Sequence, residues 1–469
     1  MSPLYDAALA LLRGLRQTGA EPTALAQMLA AIVRDQPDHA AARIARAHCL
    51  WNAGDTDGAI AEYRQAAARR PDDAAAAALL GIALVRADVN AHGPGLAEGR
   101  ALLSDVVRWA PAIADARLWL GVAQGQLGDC EAALATLDAL LPVLPEEVNL
   151  HMTRAHALLT LGRLGEGWPE FAWRWRRGQA LAARMPDDPL CRPDPGAWRG
   201  RTVLLYAEQG HGDTLQCLRY TTLVRDAGAL VVLEVPPGMA RLARALPGVD
   251  VVVAGEAPPE HDIAVPLFHL PWVFDTRLDT IPRRIPYLYP DPGDVARWRS
   301  RLAGLPGLRV GLVWAGDPRP EHPGAHQIDR RRSVGLAALA PLAAIRGVVF
   351  VSLQKGAGAV QAADPPHGMV LHDWSGELHD FAETAALMTA LDLIISVDSA
   401  PAHLAGALGR PVWLLNRFDS CWRWLADRDD SPWYPTLRQF RQTAPGDWAG
   451  VVNRLAAALG EQARRDRAS

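Results

Sequence analysis

Residues 394–415 read IISVDSAPAHLAGALGRPVWLL. The stretch opens and closes on apolar runs of strand length, with a small-residue helix between them. Strand, helix, strand in so few residues is the signature of a parallel α/β unit. Asp398 and Ser399 fall where the first strand ends, where one of them can cap the helix. Pro401 suits the start of that helix, and His403 lies in its first turn. Ala402, Ala405, Gly406 and Ala407 leave little bulk, so the helix packs tightly or lets a ligand approach. Two readings stay open here. Free amides at the helix start attract phosphate, or the helix is merely capped and His403 is an ordinary satisfied histidine.

Outward from this stretch the same alternation continues. From Arg201 onward, TVLLYA, LVVLEV, VDVVVAG and DIAVPL read as strands separated by amphipathic segments. A second series begins at GLRVGLVWAG and runs through VVFVSLQ, DLIISVD and PVWLLN, with helices expected at VGLAALAPLAAI, HDFAETAALMTAL and APAHLAGALG. Two doubly wound units are expected, and in such sheets ligands bind beyond the carboxyl ends of the strands.

The first third is different. Ala47, Gly81, Gly121 and Ala155 lie 34, 40 and 34 residues apart, and Pro71, Pro111 and Pro145 follow at 40 and 34. The excess falls near DVNAHGPG, as an insertion would. Pro37 marks a degenerate earlier repeat. Small residues at Ala47, Ala59 and Ala66 let two helices approach, Gly54 turns the chain, and Pro71 ends the second helix. This period and pattern resemble the tetratricopeptide repeat. Such repeats stack into a grooved solenoid. The groove reads as a peptide- or protein-binding surface, with a structural or dimerising module as the alternative. Pro169 is expected to start a helix on which Trp168, Phe171 and Trp175 share a face, packing the solenoid's end against the next domain.

Composition sets the bounds. A chain of 469 residues with 49% hydrophobic and 21% charged residues is globular and too long for one core. The net charge of -4 argues against a nucleic-acid partner. No apolar run reaches the roughly 18 residues of a membrane span, so no transmembrane segment is expected. Five scattered cysteines without metal or redox spacing fit a cytoplasmic protein.

One further loop carries chemistry. In AEQGHGDTLQ, Gly210 and Gly212 permit a tight strand-to-helix turn, but Leu215 stands where a dinucleotide fingerprint needs glycine. Asp213 occupies the place where phosphate would dock. A carboxylate there repels phosphate yet can accept a proton from a hydroxyl. Capping is the plain alternative, and His211 is expected to be exposed without a task.

DSAPAHLAGALGRPVWLL resembles the donor-site motif of glycosyltransferase family 9, the bacterial heptosyltransferase family, with Asp398, Ser399, His403 and Leu404 at the motif positions. GHGDTLQ is similar to the family's N-terminal Gly-Asp element at Gly212 and Asp213. GWPEFAWRWR, AEQGHGDT, GLVWAGDP and DSPWYP look like bacterial proteins that join tetratricopeptide repeats to such a region. The resemblance implies an α plus α/β chain: a solenoid at 1–178, a linker at 179–198, and a GT-B pair of Rossmann-like domains. The acceptor-side domain would span 199–305 and the nucleotide-sugar domain 306–446, with a C-terminal helix at 447–469.

It also implies glycosyl transfer from a nucleoside-diphosphate sugar to a hydroxyl, inverting and without metal or other cofactor. Asp213 would be the base. Ser399, Ala400 and His403 would hold the diphosphate, aided by Lys355 and Arg332, and Asp398 would orient backbone or ribose. Lys355 reads equally as a solvated loop lysine, Arg330 and Arg331 read more simply as an ordinary basic loop, and Ser333 reads as a helix cap. Trp422 or Trp424 could cover the base, with core packing the plainer reading. By analogy with repeat-bearing glycosyltransferases, the acceptor would be a protein in the groove, flagellin or another surface protein. The alternative is a repeat scaffold whose GT-B region no longer catalyses.

Overall fold

The computed structural model describes residues 3–16, 20–88, 93–177 and 190–468. They fall into two compact units, Met1–Ala157 and Leu158–Ser469.

The first unit is helical: α1 (Pro3–Arg16), α2 (Pro22–Asp35), α3 (Ala40–Asn52), α4 (Thr56–Arg69), α5 (Ala74–Asp88), α6 (Pro94–Trp109), α7 (Ala114–Gln126) and α8 (Cys130–Asp138), with α9 (Val148–Thr160) running to its end. The repeat period follows from packing. A Cβ on Gly121 would lie 2.5 Å from the Leu137 side chain, and one on Gly81 2.8 Å from Leu103. Ala47 and Ala155 at the equivalent positions are fully buried. Turns repeat as well. Gly54 and Gly128 both take positive φ, near 87°. The next residue in each case, Asp55 or Asp129, caps the following helix through its carboxylate, worth about 1 kcal/mol apiece. Residues 89–92 of the expected insertion lie outside the described residues. Beside it, the Asp88 carboxylate accepts from the Gly95 amide at 2.7 Å.

The second unit holds two sheets, and every pairing within them is parallel. The first comprises β1 (Thr202–Tyr206), β2 (Leu230–Glu234), β3 (Val251–Val253) and β4 (Ile263–Pro266), in the order β3-β2-β1-β4. The second comprises β5 (Leu308–Val313), β6 (Val348–Ser352), β7 (Leu371–Asp373), β8 (Leu393–Val397), β9 (Val412–Asn416) and β10 (Leu437–Arg441), in the order β10-β9-β8-β5-β6-β7. Each order reverses once, between β1 and β4 and between β5 and β8. Those reversals are the switch points where a doubly wound sheet opens a crevice. β6 and β8 are buried along their whole length, as strands covered on both faces must be.

Helix α10 (Leu164–Ala172), counted with the repeats on sequence grounds, packs with the second unit. Trp168 Nε1 donates to the Thr276 carbonyl at 2.8 Å, and its ring meets Trp422 edge-on at 5.4 Å. Phe171 meets Phe268 at 5.3 Å. Pro169 does not start this helix but lies inside it. Gly162, at φ +78, makes the turn that lets the helix begin earlier. Residues 179–189 of the expected linker lie outside the described residues. At the linker's far end Trp198 is buried against Phe274. VGLAALAPLAAI forms 3-10 turns at Leu336–Ala344, with Pro341 among them, because proline breaks the α-helical bonding.

Trp168→Ala tests the reassignment of α10. It removes a fully buried indole and should lower unfolding stability by about 3–5 kcal/mol. Denaturant unfolding followed by circular dichroism reads the shift; a loss under about 1 kcal/mol would show that α10 is detachable from the sheets.

Candidate active site

The two motif loops meet. The loop after β1 leads into the helix His211–Cys217, and the turn after β8 leads into the helix Ala400–Ala407. These helices pack together, and Gly212 sits at the contact. A Cβ on it would lie 2.8 Å from His403 Cδ2 and 3.6 Å from the Ala400 Cα. Gly212 is therefore glycine for close approach. Gly210 takes an extended backbone at the helix N-cap.

Asp213 lies at the third position of its helix, partly exposed. One carboxylate oxygen accepts from the Gly210 amide at 2.8 Å. The other is ion-paired with Arg423, a residue that the sequence reading missed. Arg423 belongs to the 3-10 turn Trp422–Trp424, which follows β9 in the second sheet's half. Its Nε donates to Gln216 Oε1 at 2.7 Å. Its guanidinium lies 4.6 Å from the Trp422 ring centroid and 4.9 Å from that of Phe268. Burial opposes its charge, but the Asp213 and Asp398 carboxylates outweigh that and hold it protonated. The only signal in the sequence was an arginine between two tryptophans.

His403 points inward. Its Nδ1 lies 3.0 Å from the Tyr434 hydroxyl, and its ring stacks on Trp424 at 5.1 Å. Burial, with Arg423 nearby, pushes its pKa down to about 4. The ring is neutral near pH 7, so positive charge for a diphosphate must come from elsewhere. Trp422 and Trp424 are both buried in the core.

Ser399 occupies the N-cap of Ala400–Ala407 but does not cap it. Its hydroxyl turns back to the Val397 carbonyl at 3.3 Å. Asp398 and Ala400 flank it, half-buried. Arg332 reaches this turn: its Nη1 donates to the Asp398 carbonyl at 3.1 Å and its Nε to Asp329 at 2.8 Å. The basic run closes a helix, Pro323–Arg332, instead of preceding one. Ser333 is thus no N-cap; its hydroxyl accepts from the Gly316 amide at 3.0 Å. Lys355 is exposed beyond β6, and its ammonium donates to the Ser375 carbonyl at 2.8 Å. β5 lies between β6 and β8, so Lys355 and the turn after β8 follow strands that are not neighbours in the sheet. His211 is exposed, its ring 5.3 Å from Phe381.

The loop before Asp213 is held from its other end. Arg174, in the 3-10 turn after α10, donates to Glu208 at 3.1 and 2.7 Å. Both side chains are almost wholly buried. A second arginine, Arg219, is buried under Tyr287, Trp433 and Tyr434 and donates to the Trp433 carbonyl at 3.0 Å.

Residues 348–415 match the family model described as glycosyltransferase family 9 (heptosyltransferase). The match contains Lys355, Asp398, Ser399, Ala400 and His403, but neither Asp213 nor Arg423. Protein FlbA of Caulobacter vibrioides is 31% identical over 371 residues, covering 73% of this chain. The chain spans 60% of that relative's length. Among solved structures, the ADP-heptose lps heptosyltransferase II of E. coli is 15% identical, with TM-score 0.38, covering 56% of this chain and 99% of its own. A tetratricopeptide-repeat protein of Thermus thermophilus is 22% identical, with TM-score 0.31, covering 38% of this chain and 96% of its own.

His403 supplies a pH test. Its pKa is about 4 when folded and about 6.5 unfolded. Between these values the unfolded chain binds a proton that the folded chain refuses. The stability is therefore complete above about pH 6.5 and is lost as the pH falls toward 4. His403→Gln should remove about 3 kcal/mol of that acid loss, seen as a flatter decline in denaturant midpoint. An unchanged slope would mean that the imidazole is solvated.

Proposed function

We propose that the second unit transfers a sugar from a nucleoside-diphosphate sugar to a hydroxyl, by one inverting displacement without a metal. The observation that carries this reading is the meeting of Gly212-Asp213 with the Asp398–His403 turn, at the carboxyl ends of both sheets. In the proposed step, Asp213 accepts the proton of the acceptor hydroxyl as its oxygen attacks the anomeric carbon. The bond from that carbon to the diphosphate oxygen breaks, and the diphosphate leaves with both electrons. Arg423 fixes the carboxylate, leaving lone pairs on both its oxygens for the incoming proton. The uncapped amide of Ala400, at a helix start, supports the departing anion.

The repeats are proposed to hold a protein acceptor, a bacterial surface protein such as flagellin, in the cytoplasm. Tethering raises the local concentration of the target hydroxyl. No helix among the described residues is long and apolar enough to cross a membrane.

A nucleotide-sugar screen by calorimetry, followed by turnover of the donor it identifies, tests the activity. Asp213→Asn should slow transfer at least about a hundredfold while donor affinity stays within a few-fold. Loss of both would make Asp213 structural, and loss of wild-type turnover in EDTA would overturn metal independence.

A chain beginning at Leu158 keeps Trp168 and its partners. It should bind the donor and hydrolyse it slowly, yet leave the protein acceptor unmodified. Modification as efficient as the full chain's, from a monodisperse folded fragment, would remove acceptor binding from the repeats.

A further inference from the structure

The proposed reaction needs fixed positive charge where the diphosphate leaves. His403 is neutral, Lys355 is tied to Ser375, and Arg423 is committed to Asp213. A different pair of cations stands at the same crevice. Arg331 belongs to the helix that brings Arg332 to the Asp398 carbonyl. Arg417 directly follows β9, which pairs in parallel with β8 in the register Val397 to Leu415. The chain therefore leaves β9 at Arg417 beside the place where it leaves β8 at Asp398–Ser399.

The two guanidinium groups share one carboxylate. Arg331 is ion-paired with Asp419 Oδ2, and Arg417 Nε lies 3.6 Å from that same oxygen. Arg417 is 9% exposed, and its Nε and Nη1 have no hydrogen-bond partner among the described residues; neither has Arg331 Nε. Burial, with Arg417 beside it, pulls the Arg331 pKa down despite Asp419. Arg417 is buried and Arg331 partly so; two such cations beside one carboxylate, with donors unused, are costly unless something completes them. Their side chains keep 15% and 11% of their surface open, so the pair is not sealed. The open part of the pair suits an anion offering several acceptor oxygens, because guanidinium groups bind phosphoryl oxygens in paired fashion.

We propose that Arg331 and Arg417 form a diphosphate-binding site next to the Asp398–Ser399 turn. This rests on the nucleotide-sugar reading and assigns the charge that the reading requires. Lone phosphate shares the chemistry, but a diphosphate can reach both guanidinium groups at once.

The test is calorimetry of the full chain with inorganic pyrophosphate and with orthophosphate. Wild type should bind pyrophosphate at least tenfold more tightly than orthophosphate. Arg417→Gln and Arg331→Gln should each weaken pyrophosphate at least tenfold, and Arg417→Lys less. Arg225→Gln, an exposed arginine paired with Asp250, should change nothing. Thermal unfolding supplies a second readout: pyrophosphate should raise the wild-type midpoint and leave that of Arg417→Gln unmoved. Where Arg417→Gln fails to fold, Arg331→Gln and Arg417→Lys carry the comparison. Absence of wild-type binding, equal affinity for the two anions, or undiminished pyrophosphate binding by folded variants would overturn the proposal. Arginine-dependent pyrophosphate binding without sugar transfer would uphold this site and sink the transferase reading. Transfer with arginine-independent binding would do the reverse.

Discussion

The second unit depends on an ion pair between its two sheets, buried on the arginine side and partly open on the carboxylate side. Arg423 comes from the segment after β9, and its anionic partner, Asp213, from the loop after β1. Burying a guanidinium is costly, and an ion pair does not by itself repay the cost. Here the cation also bonds Gln216 and lies against two aromatic rings. Its planar, weakly hydrated head suits that setting in a way that a lysine ammonium would not. The pair fixes the position of the proposed base, whose other carboxylate oxygen is held by the Gly210 amide. It also requires the two sheets to meet at one register.

That register is shared by a run of packed side chains. Gly212 presses on His403, His403 bonds Tyr434, and the Tyr434 ring covers Arg219. Arg219 in turn donates to Tyr287, whose hydroxyl donates to the Leu215 carbonyl on the helix that carries Asp213. The run closes on itself. A side chain at Gly212 would push His403 off Trp424 and disturb every later member. Neutrality of His403 belongs to the same arrangement: a charged imidazole would face Arg423 inside a core that already holds Arg219.

Much of this was legible in the sequence. The repeat period showed itself because Gly81 and Gly121 are spaced by helix-to-helix contact, which recurs in every repeat. β8 and β9 announced themselves as apolar runs because both faces are covered. β7 and β10 escaped because LHD is only three residues long and LRQFR alternates with charge at the sheet's edge. The helix Pro323–Arg332 escaped because PGAHQIDRRR has almost no apolar face. Asp213 and His403 could be singled out as chemistry-bearing, but not their partners. Arg423 is 210 residues from Asp213 in sequence, and no local pattern encodes a contact at that range. Sequence likewise treats Gly210 and Gly212 alike as turn glycines, although only Gly212 is held to glycine by the opposite helix.

The loop from Glu208 to Asp213 is thus gripped at both ends by buried arginines. Arg174 reaches Glu208 from the turn after α10, and Arg423 reaches Asp213 from the turn after β9. Neither arginine lies in the first sheet. A loop of two glycines would otherwise sample many conformations and lose entropy on ordering. With its two carboxylates anchored, that cost is met at folding and not at each encounter with substrate. A preorganised carboxylate is what a single displacement needs, because misplacing a base by even an ångström slows proton transfer steeply. The same argument explains why the aromatic-rich helix α10 packs with the sheets instead of closing the solenoid. Phe171 and Trp175 lie under the Arg174 guanidinium, so the aromatic run builds the seat from which Arg174 holds the loop.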